Sequence, residues 1–187
     1  LLSSGKVSEK AEMKGLTDRS CMSVEAALDF ADTCDLGDVG ALVERQIAYN
    51  YAIAEEGMMN RWGANIGKTL HVHYGDDVKT RARFMAAAGS DARMSGCEMP
   101  VIIVSGSGNQ GITASVPVIV YAKHLGVSHE KMVRAVLLSD LLTIHLKTGI
   151  GRLSAYCGAV SAGCAAASAI AHLCGGTLED VAHTLVN

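Results

Sequence analysis

The stretch RLSAYCGAVSAGCAAASAIAHLC, residues 152–174, decides the class of fold. It is made of Ala, Gly, Ser and Cys with a few larger apolar side chains, and no charged residue occurs from Leu153 to Leu178. Small side chains let neighbouring helices approach closely. The segment therefore reads as a nearly apolar helix buried at the centre of a helical bundle. Gly175 and Gly176 end it. Thr177, with Asp180 three residues on, has the form of a capping box that opens a last helix.

The chain on the N-terminal side of this helix reads the same way. Ser128 can cap a helix reaching about Lys147, with Gly149 and Gly151 interrupting before the Ala-rich run. Residues 112–125 read as a helix with Pro117 in its first turn or two, where proline is tolerated. Ahead of it lie the glycine-rich loop Gly106–Gly111 and the short β-branched run from Met99 to Val104. For that run, strand and buried helix are both open. Residues 76–94, rich in Ala and Arg, read as a helix. So do residues 41–62, where Leu42, Ile47, Tyr51 and Met58 share one side, until Gly63 and Gly67 break the pattern. Ser23 caps a helix from Val24 to about Thr33, stopped near Gly37 and Gly40. Residues 1–22 are polar and mixed, an irregular lead-in; residues 23–187 form one helical domain. Seven or so helices and no convincing strand alternation make the class all-α, a globular helical bundle. The chain opens on Leu1 rather than Met and ends at Asn187 within the last helix, so it reads as a piece of a longer protein.

Composition excludes several functions. The net charge is −3, without long charge runs, which speaks against nucleic-acid binding. Six cysteines contain no Cys-x-x-Cys, so neither a zinc ribbon nor a thioredoxin motif is present. A domain of this size needs no disulfide staples, and the thiols read as reduced and the location as cytoplasmic. Two uncharged stretches, residues 99–122 and 153–178, are long enough to span a bilayer. Their Gly, Ser, Asn, Gln and His content favours a buried loop and a soluble core helix instead.

Chemistry concentrates at Gly106-Ser107-Gly108-Asn109-Gln110-Gly111. Glycines let the backbone approach a ligand, and free N–H groups at the start of the following helix suit a carboxylate or phosphate. Asn109 and Gln110 add side-chain donors. No Gly-Lys-Ser/Thr follows, so this is not a Walker loop, and the spacing of a dinucleotide fingerprint is absent. A tight connection between two buried elements would use the same glycines. Asp91 and Arg93 sit just before this region, and His145, Lys147 and Arg152 lie before the Ala-rich helix; a Lys or Arg there could bind a substrate carboxylate. Cys157 and Cys164, seven apart on one expected helix, share a face that could hold a metal, or could simply be small buried side chains. His71 and His73 alternate as ligands on a strand would, but read better as a surface loop.

Three stretches together carry a resemblance: Ala88-Gly89-Ser90-Asp91-Ala92-Arg93-Met94; Ser105 to Ile112 with Pro117 downstream; and Arg152-Leu153-Ser154-Ala155-Tyr156-Cys157. Gly67-Lys68-Thr69-Leu70 also fits. From about residue 40 onward the chain resembles the iron–sulfur-dependent L-serine dehydratase α-chain-like family, nearest the branch that holds L-cysteine desulfidase. The resemblance implies a lyase that works without pyridoxal phosphate and carries a [4Fe–4S] cluster. Elimination of water or sulfide from L-serine or L-cysteine yields pyruvate and ammonia. It implies Cys157 as a cluster ligand, Ser107, Gly108, Asn109 and Gln110 as substrate contacts, and Lys147 as a further one. The other two cluster cysteines and the general base do not match any residue here, so this chain alone is expected to lack the cluster and be inactive. Serine and cysteine both stay open as substrate. A homodimer is expected, as is a helical module that merely binds a small anion if the chemistry is absent.

Overall fold

The computed structural model describes residues 17–150 and 157–187. Over the described residues the fold is all-α, with eight helices and no strand. Helices α1 (Val24–Thr33), α2 (Leu36–Met59), α3 (Ile66–Tyr74) and α4 (Val78–Met94) precede the glycine-rich region. Helices α5 (Gly108–Leu125), α6 (His129–Ile150), α7 (Gly158–Leu173) and α8 (Leu178–Val186) follow it. None of these helices is long and apolar enough to cross a membrane.

Most helix starts are set by local capping, which satisfies amides that have no partner within the helix. The Ser23 hydroxyl accepts from the Ala26 amide, Asp35 from Gly37, and Asp77 from Lys79 and Thr80. Ser128 accepts from Lys131, and Thr177 and Asp180 complete the expected capping box. Helices α7 and α3 lack a side-chain cap, and α3 finds another partner. Its N-cap, Asn65, sits at φ 53° and makes no side-chain cap. The Asp91 carboxylate of α4 reaches across instead and accepts from the Ile66 amide. Asp91 thus holds one helix onto another.

Glycines that read as helix breakers lie inside helices, and two glycines are points of close approach. Gly37 and Gly40 lie inside α2, which the Asp35 cap starts earlier than expected. Gly67 lies inside α3, where a Cβ would stand 2.6 Å from both the Ala88 Cβ and the Phe84 carbonyl oxygen. A Cβ on Gly57 would stand 2.1 Å from the Ala88 carbonyl oxygen. Helices α2 and α3 therefore seat directly on the α4 backbone, and the packing offsets the low helix propensity of glycine. His71 and His73 fall on α3, not on a loop; both are exposed, and the His71 ring lies 4.8 Å from that of Phe84.

Helix α5 packs against α2, α4, α6 and α7, and Ile112, Val116, Val118 and Ile119 on it are fully buried. The Ala-rich α7 shares the centre, burying Ala162, Ala165, Ala166 and Ala169 between α5, α6 and α8. Its expected start at Arg152 lies outside the described residues. Because α5 begins at Gly108 rather than near Ile112, Pro117 falls in the helix interior, where it removes one backbone hydrogen bond. The run from Met99 to Val104 is neither strand nor helix. There the side chain of Asn50 takes the place of a partner strand, bonding both backbone groups of Ile102.

Candidate functional site

The glycine-rich region folds as a short bend running into a helix, not as an independent loop. Ser107 is the N-cap of α5, its hydroxyl accepting from the Gln110 amide, so Gly108, Asn109, Gln110 and Gly111 form the first turn. The amides of Gln110 and Gly111 are thereby occupied by Ser107. Those of Gly108 and Asn109 are the amides that a helix start leaves for a ligand.

Two glycines set the approach of neighbours. A Cβ on Gly108 would lie 2.2 Å from the Arg93 Nε and 2.7 Å from Val101, so only glycine lets the guanidinium cross the helix start. Arg93 Nη1 then donates to Asn109 Oδ1 at 3.1 Å. A Cβ on Gly111 would lie 1.9 Å from the Ile102 carbonyl oxygen, so the first turn of α5 lies directly against the backbone of the 99–104 segment. The result is a half-buried cation beside a helix N-terminus, two like-signed features that together favour a carboxylate or phosphate.

Gln110 is fully buried and faces inward. Its Oε1 accepts from the Ser105 amide at 3.0 Å, and its Nε2 donates to the Ser105 hydroxyl at 3.0 Å. The same amide lies 3.1 Å from where a Cβ on Gly158 would be. The start of α7 is therefore packed against the start of α5, and Cys157, the residue before Gly158, comes to the same end of the bundle. Cys157 is exposed and is the N-cap of α7 rather than part of it. The one-face relation with Cys164, which required both on a helix, does not hold.

Of the expected substrate residues, Ser107, Gly108, Asn109 and Gln110 are thus grouped with Arg93 and Ser105. Gln110 is engaged in holding Ser105 and is the most enclosed of them. Lys147 is half-buried in the last turns of α6, and the hydrogen bonds among the described residues join it to none of these groups. No set of three His, Cys, Asp or Glu side chains able to hold a metal occurs among the described residues. Cys157 fits as a single exposed thiol at a helix start; these residues alone do not form a cluster site.

Two buried amides on α2 were not picked out by sequence pattern. Asn50 and Gln46, one turn apart, are 0 % and 2 % exposed. Gln46 Nε2 donates to Asp140 Oδ1 of α6 at 2.9 Å. Burial pushes the Asp140 carboxyl up to about 7, against the lowering effect of that hydrogen bond. The buried face of α2 runs through Val43, Gln46, Ile47, Asn50, Ile53, Ala54 and Gly57, while Leu42 is 54 % exposed. Heptad-like spacing of Gln46, Asn50, Ile53 and Gly57 was the available signal, a weak one because Asn and Gln are mostly exposed in proteins.

The class of protein to which this architecture belongs follows from comparison. The model of the serine dehydratase alpha chain family matches residues 6–187, and the chain belongs to that family. A UPF0597 protein of Desulfitobacterium hafniense is 57 % identical over 177 residues, covering 95 % of this chain and 41 % of that protein. One from Lachnoclostridium phytofermentans is 55 % identical over 170 residues, 91 % of this chain and 41 % of the relative. One from Bacteroides fragilis is 37 % identical over 171 residues, 89 % and 40 % respectively. The chain therefore spans about 41 % of the length of the first two of these curated relatives. No solved structure matches it.

Proposed function

We propose that the full-length protein is a lyase that eliminates water or hydrogen sulfide from L-serine or L-cysteine, giving pyruvate and ammonia. The observation that carries this reading is convergence. Arg93, the Ser105–Gln110 turn and Cys157 come from the three separate motif stretches and meet at one end of the bundle. The substrate carboxylate is held at the start of α5 by the Gly108 and Asn109 amides, with Arg93 supplying the counter-charge and Asn109 orienting it. Ser107 shapes the turn, Gln110 fixes Ser105, and Lys147 is a further substrate contact reached from α6. Cys157 is one cluster ligand; a [4Fe–4S] cluster completed by residues beyond this chain would supply a Lewis-acidic iron for the leaving group. The thiols are taken as reduced in the cytoplasm and the protein as a homodimer.

Full-length protein, reconstituted without oxygen, is assayed for pyruvate release from both amino acids beside its Cys157→Ala variant. Pyruvate from either, lost in the variant together with the visible iron–sulfur absorption, supports the reading and names the substrate. An intact, folded protein with neither pyruvate nor cluster refutes it. One observation favours a second reading: the α5 start with Arg93 is an anion site that needs no cluster. In that case the region binds a small carboxylate or phosphate without chemistry, and calorimetry with either anion detects it.

A further inference from the structure

We propose that Asn50 is a positioning residue: its carboxamide sets where the Ser105–Gln110 turn presents its groups to a substrate carboxylate. What the turn binds rests on the lyase reading above; the clamp itself rests on geometry. Asn50 Oδ1 accepts from the Ile102 amide at 2.8 Å, and Nδ2 donates to the Ile102 carbonyl at 3.0 Å. Both polar backbone groups of one residue are thus held by one planar side chain, which fixes that residue in position and in rotation. The remaining Nδ2 proton goes to the Ser115 hydroxyl at 3.1 Å, and that hydroxyl donates to the Gly111 carbonyl at 2.8 Å.

A single fully buried amide therefore ties the segment entering the turn to the helix leaving it. The Ile102 carbonyl is bounded on its other side by Gly111, where no Cβ could fit. Only two residues separate Ile102 from Ser105, whose amide and hydroxyl are bonded to Gln110. A shift at Ile102 must therefore move the Ser105–Gln110 pair or break it. Few side chains can replace Asn50. Aspartate keeps the acceptor and loses both donations, leaving the Ile102 carbonyl without its bond and placing a charge in the interior. Glutamine carries the amide one methylene too far.

The test uses full-length protein, reconstituted without oxygen, as wild type, Asn50→Asp and Ser115→Ala. Iron and sulfide content, KM and kcat for L-serine and L-cysteine, melting temperature, and hydrogen exchange over residues 102–110 are measured. A carboxylate held equally in ground and transition states makes its loss a KM effect. Asn50→Asp should raise KM about tenfold or more while kcat per cluster stays within about threefold. Exchange should quicken over 102–110 and not in α7 or α8. Ser115→Ala, which spares both bonds to Ile102, should raise KM by roughly threefold. If the variants lower melting temperature and active fraction with KM unchanged, Asn50 is structural only and the proposal is overturned. Should Asn50→Asp not fold, Ser115→Ala decides by the same KM criterion. If wild-type protein turns over neither amino acid, the lyase reading fails separately. Exchange then decides the clamp: quickening confined to 102–110 supports it, and unchanged exchange there overturns it.

Discussion

Replacing Asp140 by asparagine should make the protein more stable at pH 8 and remove a pH dependence that the wild type carries. The carboxyl is held at about 7 in the folded state against an ordinary value of 3.8, and burial is the cause. Below about pH 4 both folded and unfolded chains hold the proton, and Asp140 makes no difference. Between 4 and 7 the unfolded chain releases the proton while the folded one keeps it, so stability falls as pH rises. Above 7 the folded state carries a charge that its surroundings stabilise poorly. A shift of about three pH units corresponds to about 4 kcal/mol. Asp140 retains some solvent contact, which reduces the effect, so a difference of roughly 2–4 kcal/mol is expected. The substituted asparagine would keep an oxygen to accept from Gln46 Nε2, so Asp140→Asn tests charge and not the loss of the bond. Urea denaturation of both proteins at pH 4.5, 6 and 8 measures it. Asp76, Asp77 and Asp180, held below the usual range by hydrogen bonds, destabilise both proteins alike when protonated. The gap between the two should widen steadily from pH 4.5 to 8. Parallel curves, or a variant less stable at pH 8, would refute the burial argument.

Other changes probe the packing and the site. Gly111→Ala places a methyl 1.9 Å from the Ile102 carbonyl oxygen and should cost about 3 kcal/mol or more, whereas Gly149→Ala, with nothing within 4 Å, should cost nothing; chemical denaturation compares them. Gly108→Ala pushes Arg93 off the α5 start and crowds Val101, so it should lower the melting temperature and weaken binding of a carboxylate substrate about tenfold, read as KM in the full-length protein. Thr177→Ala removes the hydroxyl of the α8 capping box and should cost about 1 kcal/mol in thermal or urea unfolding.

Helix positions were readable because they depend on neighbours in sequence. Ser23, Ser128 and the Thr177–Asp180 pair cap the helices that their spacing announces, and the Ala-rich run is the buried helix that its composition implies. The boundaries that were misplaced all involve glycine. Gly37, Gly40 and Gly67 look like breakers locally; the Asp35 cap starts α2 ahead of the first two, and the nearness of the α4 backbone explains the glycine kept at 67. The same holds at the site. The motif Ser105–Gly111 could be singled out from its glycines and amides, but its shape could not: the first turn of α5 begins within it.

The sequence by itself determined an all-α class, which follows from periodicity and capping, and the family likeness, which follows from three motif stretches; residue type singled out the Gly106–Gly111 segment. Tertiary structure alone decided that Asp91 caps α3, that Arg93 crosses Gly108 to reach Asn109, and that Asn50 and Gln46 are interior residues. Each of these joins residues far apart in the chain. A buried amide or carboxylate is stable only when a specific distant partner meets it, and no local pattern records which partner that is.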